Sequence, residues 1–261
     1  MQSTNAQGIL IRRIDYGDSD LILTFITQKY GKISLMAKSA KKSVRRFGGI
    51  LELFYFLELI IRPGKGSKPS ILENASLIRP FEKIRTNVVH TAYASYWAEL
   101  IHLFVEEKNA QDDIFQLFVF VLDQLNNSTI AADVLHIVFQ IRFLTISGFQ
   151  PNFITCYYCQ KKLDKISGPT CCFDLNKGTV MCPSCVQKTS HLMKLSKGTL
   201  KHLNWINSHD LQHLHRLKYS SEAIAEGKQL LEQFVPFCIG RSPKSLLFLK
   251  KLYKQTKGNK A

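Results

Sequence analysis

Two pairs of cysteines form the constellation in this 261-residue sequence whose residue types and spacing dictate a specific chemistry. Cys156-Tyr-Tyr-Cys159 and Cys182-Pro-Ser-Cys185 are C-x2-C pairs with 22 residues between them, a spacing close to that of a four-thiolate zinc site. Two cysteines three positions apart reach one tetrahedral ion from a single tight turn. Between the pairs, Thr170-Cys-Cys-Phe173 and Thr179-Val-Met181 read as short strands around a turn from Asp174 to Gly178. Such a hairpin would bring the second pair back to the first. The stretch is therefore expected to be a zinc ribbon, with Cys156, Cys159, Cys182 and Cys185 as ligands and Zn2+ as a structural cofactor. A site closed by four thiolates leaves no position for water, so it holds a loop together and runs no reaction.

Other uses of these thiols remain open in principle. Disulfides would need an oxidising compartment, of which the sequence gives no sign, and seven cysteines is an odd number. A redox C-x-x-C would open a helix after a strand, and neither pair does. Cys171 and Cys172 lie inside the loop as substitute ligands, but neighbouring strand residues face opposite ways, so at most one could join. Cys238 follows Phe237 and reads as a buried thiol.

A second kind of chemistry lies in charge. The chain carries 35 basic and 20 acidic residues, a net +15, which favours an anionic partner such as nucleic acid. From Lys29 to Leu51 there are seven basic residues and no acid. Within that stretch Lys38-Ser-Ala-Lys-Lys-Ser-Val-Arg-Arg46 reads as a mobile loop able to follow a phosphate backbone, against the plainer reading of a solvated loop. Lys32, Lys38, Lys41, Lys42, Arg45 and Arg46 are the candidate contacts. Phe47 or Tyr30 offers a stacking face, although Phe47 reads better as a core residue closing a barrel. Lys250, Lys251, Lys254, Lys257 and Lys260 form a second basic run that is either a phosphate-binding surface or a frayed tail. His209, His213 and His215 lack the carboxylate pattern of a metalloenzyme, Gly64-Lys-Gly66 is too short for a phosphate loop, and no tight acidic cluster stands out. A non-enzymatic binding protein is expected.

The elements that must position these residues fall into two regions. In residues 1–80, Ile9 to Ile11, Leu21 to Ile26, Lys32 to Ala37, Leu51 to Ile61 and Ser70 to Ile78 are apolar or alternating runs separated by turn signals. Five short strands suggest a small barrel, an OB-fold or an SH3-like one. Arg79-Pro80 marks a boundary, and residues 81–261 read as helical. Asn87 caps a helix with Val88, Ala92, Tyr96 and Leu100 on one face; others are expected over Asp112 to Leu125, from Asp133 to a stop at Gly148, after Ser196, over Ser221 to Phe234, and from Ser242-Pro243 onward. The fold class is multidomain α+β: an N-terminal OB-fold β-barrel, then an all-α domain, with residues 156–185 inserted as the zinc ribbon. The most apolar run, Ile114 to Leu125, is too short to span a bilayer, and the N-terminus shows no signal peptide, so a soluble cytoplasmic protein with no membrane contact is expected. The charge is uneven: 13 basic and 6 acidic residues in 1–80, 4 and 8 in 81–155, 18 and 6 in 156–261.

This order of parts resembles the RecO family of bacterial recombination mediators. The likeness is carried by Gly8-Ile-Leu-Ile-Arg-Arg-Ile-Asp-Tyr-Gly-Asp-Ser-Asp20, by Thr27-Gln-Lys-Tyr-Gly-Lys32 with the basic loop after it, by Leu77-Ile-Arg-Pro-Phe81-Glu-Lys-Ile-Arg85, and by Gly148-Phe-Gln-Pro151 leading into the paired cysteines. Asp18 stands where that family usually has glutamate, and Leu51-Glu-Leu-Phe54 replaces the commoner Leu-Gln-Pro-Phe, which puts the acid Glu52 near the proposed groove. The resemblance implies a nucleoid-associated DNA repair protein that binds single- and double-stranded DNA and anneals complementary strands. It also implies binding to the acidic tail of single-stranded DNA-binding protein and, with RecR, help in loading RecA. A ribosome- or transcription-associated zinc ribbon is the alternative.

Overall fold

The structure is a computed structural model that describes residues 2–66, 68–127, 129–186 and 192–258. They divide into two compact units, residues 1–127 with 248–261, and residues 128–247. This grouping differs from a division at residue 80: the barrel shares its unit with residues 81–127, which follow it directly.

In the first unit, β1 (Thr4–Tyr16), β2 (Asp20–Thr27), β3 (Gly31–Ala37), β4 (Phe56–Arg62) and β5 (Ile71–Arg79) close into a barrel of order β1-β2-β3-β5-β4, the OB-fold arrangement. A short helix, α1 (Val44–Phe47), lies between β3 and β4. Alternation of side chains sends Leu10, Leu23, Phe25, Leu35, Leu57, Leu59 and Leu72 into the barrel core, and Phe47 joins them. Strand β1 is longer than its apolar run because it serves two neighbours, pairing with β2 on one edge and β4 on the other, with a bulge between Leu10 and Arg12. The parallel approach of β3 to β5, with Met36 N–H donating to the Ser70 carbonyl at 2.9 Å, closes the ring. Leu51 to Tyr55 is not strand; Phe54, at a positive φ of 70°, donates its N–H to the Leu10 carbonyl at 2.8 Å beside the β1 bulge.

After the barrel come α2 (Glu82–Arg85), α3 (Val88–Phe104) and α4 (Asp112–Asn127). The Asn87 side chain accepts from the N–H groups of Val89 and His90 at 2.9 and 3.2 Å, the expected cap. Tyr93 and Trp97 of α3 stack, and Tyr253 donates to the Tyr93 hydroxyl at 3.0 Å, which joins the C-terminal residues to this unit.

The second unit is built around α5 (Ala132–Ile146), which is buried along nearly its whole length. Gly148, at φ +84°, ends it, and Phe149 N–H donates back to the Leu144 carbonyl at 2.8 Å. A three-stranded sheet comes next, β6 (Thr170–Asp174), β7 (Thr179–Met181) and β8 (Leu192–Ser196), in the order β7-β6-β8. The third strand carries the ribbon past residue 185, where the sequence reading ended it. Then come α6 (Lys197–Ser208), capped by Ser196, and α7 (Ser221–Ile239). Helix α7 runs through Pro236 instead of ending at Phe234, because a proline this close to the C-terminus forfeits one hydrogen bond and Gly240, at φ +70°, then closes the helix. The last helix, α8 (Lys244–Gly258), begins one residue after Pro243. No helix among the described residues is long and apolar enough to cross a membrane.

Candidate metal centre and nucleic-acid interface

Two short turns bring the four paired cysteines together. Cys156 opens the first turn with its N–H on the Lys161 carbonyl, and Gln160, at φ +56°, donates back to the Cys156 carbonyl at 3.0 Å. The second turn comes directly after β7, and Cys185 and Val186 both donate to the Cys182 carbonyl. Tyr157 N–H reaches the Val180 carbonyl of β7 at 2.9 Å, and Cys182 N–H donates to Cys156 Sγ at 3.3 Å, which fastens one turn to the other. The hairpin that returns the chain is held by Asp174, whose side chain accepts from Asn176 and whose carbonyl accepts from Gly178. Beneath it, Phe173 packs between Phe153 and Phe234.

The four sulfur atoms lie within 4.8 Å of one another, and Cys159 Sγ and Cys182 Sγ are 3.7 Å apart. A tetrahedron with metal–sulfur bonds of about 2.3 Å has sulfur–sulfur edges of about 3.8 Å, so the cluster has the dimensions of a single tetrahedral ion. Burial works against ionising Cys156, but the N–H groups of Cys159, Cys182 and Tyr158 outweigh it and bring the thiol down to about 6. Cys185 is pushed up to about 12, first by its hydrogen bonds with Cys182 and Cys159, because one sulfur in so crowded a cluster keeps its proton. A cation at the centre would remove that need. Neither Cys171 nor Cys172 joins; burial raises both, and they sit on opposite faces of β6. The paired cysteines are the one such group among the described residues. His209 instead stacks on Trp205 and meets the Ser208 hydroxyl at 2.9 Å.

On the barrel, the six basic residues singled out by sequence have different fates. Lys32 is turned inward on β3: its ammonium donates to the His102 carbonyl at 2.7 Å, and burial lowers its pKa. That takes it out of any contact with a phosphate backbone, since the strand's alternation, invisible in a charge count, decides the side it faces. Arg46 donates to the Ser43 hydroxyl at 3.0 Å and the Lys38 carbonyl at 2.7 Å, with its guanidinium over the buried Phe47 ring. Lys41 pairs with Asp15 at 3.1 Å. Lys38, Lys42 and Arg45 are exposed, and no ion pair holds them among the described residues.

The loop is tied to the β1–β2 turn, an attachment the sequence reading did not include. Asp20 Oδ1 accepts from Ser39 N–H at 2.7 Å, and Lys41 N–H donates to the Ser19 carbonyl at 3.0 Å, so the β1–β2 turn holds it. Two of the three acids in that turn are thereby engaged, Asp15 by Lys41 and Asp20 by the loop backbone. Glu52, the departure noted in sequence, pairs with Arg13 at 3.1 Å. Phe47 is a core residue, not a stacking face, and Tyr30 packs partly against the same core. The exposed aromatic ring here is Tyr16, 52% exposed at the end of β1 beside that turn. Sequence reading passed over it, although its place in the Asp15-Tyr-Gly-Asp18 turn was the available signal. In α8, Lys250 and Lys251 are exposed, while the side chains of Lys254 and Lys257, and Lys260 altogether, lie outside the described residues.

Comparison with known proteins agrees with this architecture. Residues 1–81 match the family model described as recombination protein O N terminal, and residues 85–247 match recombination protein O C terminal. The chain is similar to the DNA repair protein RecO of Desulfatibacillum aliphaticivorans, at 40% identity over 254 residues covering 97% of this chain and 98% of the relative. It is also similar to the protein of that name from Desulfosudis oleivorans, at 34% identity with 97% and 99% coverage. A barrel of OB order, a helical unit bearing a four-cysteine cluster, and likeness along nearly the whole chain lead to one conclusion: this chain belongs to the RecO family.

Proposed function

We propose that this chain is a DNA-binding recombination mediator with no reaction of its own, which binds single- and double-stranded DNA and anneals complementary strands. With RecR, and by binding the acidic tail of single-stranded DNA-binding protein, it helps to load RecA during repair in the bacterial cytoplasm, at the nucleoid. The observation that carries the reading is the basic loop: Lys38, Lys42 and Arg45 project from the barrel beside exposed Tyr16, and of the nearby acids, Asp15, Asp20 and Glu52 are engaged, which leaves Asp18 as the exposed acid of the β1–β2 turn. Ammonium and guanidinium groups on a fixed support neutralise successive phosphates, and two neutralised strands can pair. Zn2+ in the four-cysteine cluster supplies structural support when bound, tying the two turns to the sheet that Phe173 roots in the helical unit.

The test is annealing of a labelled complementary oligonucleotide pair by the parent chain and by a Lys38→Ala/Lys42→Ala/Arg45→Ala variant. The variant is expected to anneal at least about tenfold more slowly at physiological salt, because three phosphate contacts are gone. Equal rates would remove the loop from the site.

A further inference from the structure

The outer surface of the first cysteine turn carries two tyrosines that neither the metal nor the core needs. Tyr157 and Tyr158 are 48% and 44% exposed, and their rings meet edge to face, 5.2 Å apart at 87°. Ligation asks nothing of the residues between two cysteines of a C-x2-C turn, so two large rings displayed there call for another explanation. The turn is stiff: both flanking cysteines belong to the four-sulfur cluster, and Tyr157 N–H is bonded to Val180. Lys177, from the β6–β7 turn, places its ammonium 4.4 and 4.5 Å from the two ring centroids and donates to the Tyr158 hydroxyl at 2.7 Å. Lys161 and Lys162 are exposed on the returning arm of the same turn, where Lys162 bridges to Thr155. The acids nearby in sequence are engaged. Asp164 is paired with Lys201 at 2.7 Å, and Asp174 is buried, accepting backbone N–H groups.

Rigid aromatic faces among ammonium groups suit a single strand, whose bases stack on rings while its phosphates meet the cations. A right-angled pair takes one base flat on one ring with its edge toward the other. A duplex hides its base faces, and an acidic peptide offers charge with few flat surfaces. We propose that Tyr157, Tyr158 and Lys177 form a second site for single-stranded DNA, on the ribbon of the second compact unit and separate from the barrel loop. The inference rests on the proposed DNA-binding function and adds a stacking site to it.

The experiment uses the full-length, zinc-loaded chain and oligothymidine carrying 5-iodouracil, with photocrosslinks mapped by mass spectrometry and affinity measured by fluorescence anisotropy. In the parent, crosslinks are expected at Tyr157 or Tyr158. Tyr157→Ala/Tyr158→Ala should lose them and bind about five- to thirtyfold more weakly, with an unchanged salt slope, since stacking and not charge has been removed. Tyr157→Phe/Tyr158→Phe keeps the rings and should bind within about twofold of the parent. If the alanine pair loses zinc, Lys177→Ala decides in its place, with an expected loss of about threefold. A zinc-loaded alanine pair that binds as the parent does, or an acidic peptide that crosslinks to this turn where the oligonucleotide does not, overturns the proposal. Weakening confined to the Lys38→Ala/Lys42→Ala/Arg45→Ala variant overturns this site alone, whereas a parent that captures no oligothymidine overturns the DNA-binding reading with it.

Discussion

At the scale of single residues, positive charge in one stretch serves three ends. Of the six candidate contacts, Lys32 satisfies a carbonyl inside the unit, Arg46 and Lys41 fasten the loop to itself and to the β1–β2 turn, and Lys38, Lys42 and Arg45 are left to face a partner. A sequence displays the charges but not their directions, because direction depends on strand alternation and on acids that lie about twenty residues earlier in the chain. The cysteines were legible for the opposite reason. Their spacing is itself the constraint, and the structure brings the same four sulfurs within reach of one ion. Cys182→Ser removes the sulfur 3.7 Å from Cys159, and a hydroxyl is a poor ligand for zinc. Elemental analysis is expected to show about one zinc per parent chain and well under half of that in the purified variant, with faster proteolysis of the variant between β7 and β8. A variant that keeps full zinc would place the ligand set elsewhere.

At the scale of elements, alternation and turn residues revealed the five barrel strands, and caps such as Asn87 and Ser196 marked helix starts. Strand β8 was missed because Leu192-Met-Lys-Leu-Ser196 is too short to show a period; it is a strand only because β6 offers it a free edge. The β2–β3 turn shows how tightly the barrel is joined to the α3–α4 connection. Gly31 has φ +64°, and a Cβ there would lie 1.9 Å from the Asn109 carbonyl oxygen. Gly31→Ala combines left-handed strain with a backbone clash and is expected to cost more than about 2 kcal/mol, read as a lowered urea midpoint. Gly17→Ala has a similar positive φ of 55° but open space around it, so it should cost roughly 1 kcal/mol. Equal midpoints for the two variants would mean that residues 109–110 give way freely.

At the scale of the whole molecule, the uneven charge found in sequence acquires an arrangement: the basic barrel loop lies in one compact unit and the basic, tyrosine-bearing ribbon in the other. The division itself was not readable, because residues 81–127 have ordinary amphipathic helical patterning and nothing in that pattern says they pack with the barrel. What joins these observations is the claim that the basic loop, tied to the β1–β2 turn, neutralises DNA phosphates. The direct measurement is the slope of log affinity against log salt concentration for single-stranded DNA, in the parent and in Lys38→Ala/Lys42→Ala/Arg45→Ala. If each of the three side chains displaces a counterion, the variant's slope is shallower by about 2. A variant whose slope equals the parent's would contradict the account, whatever its affinity.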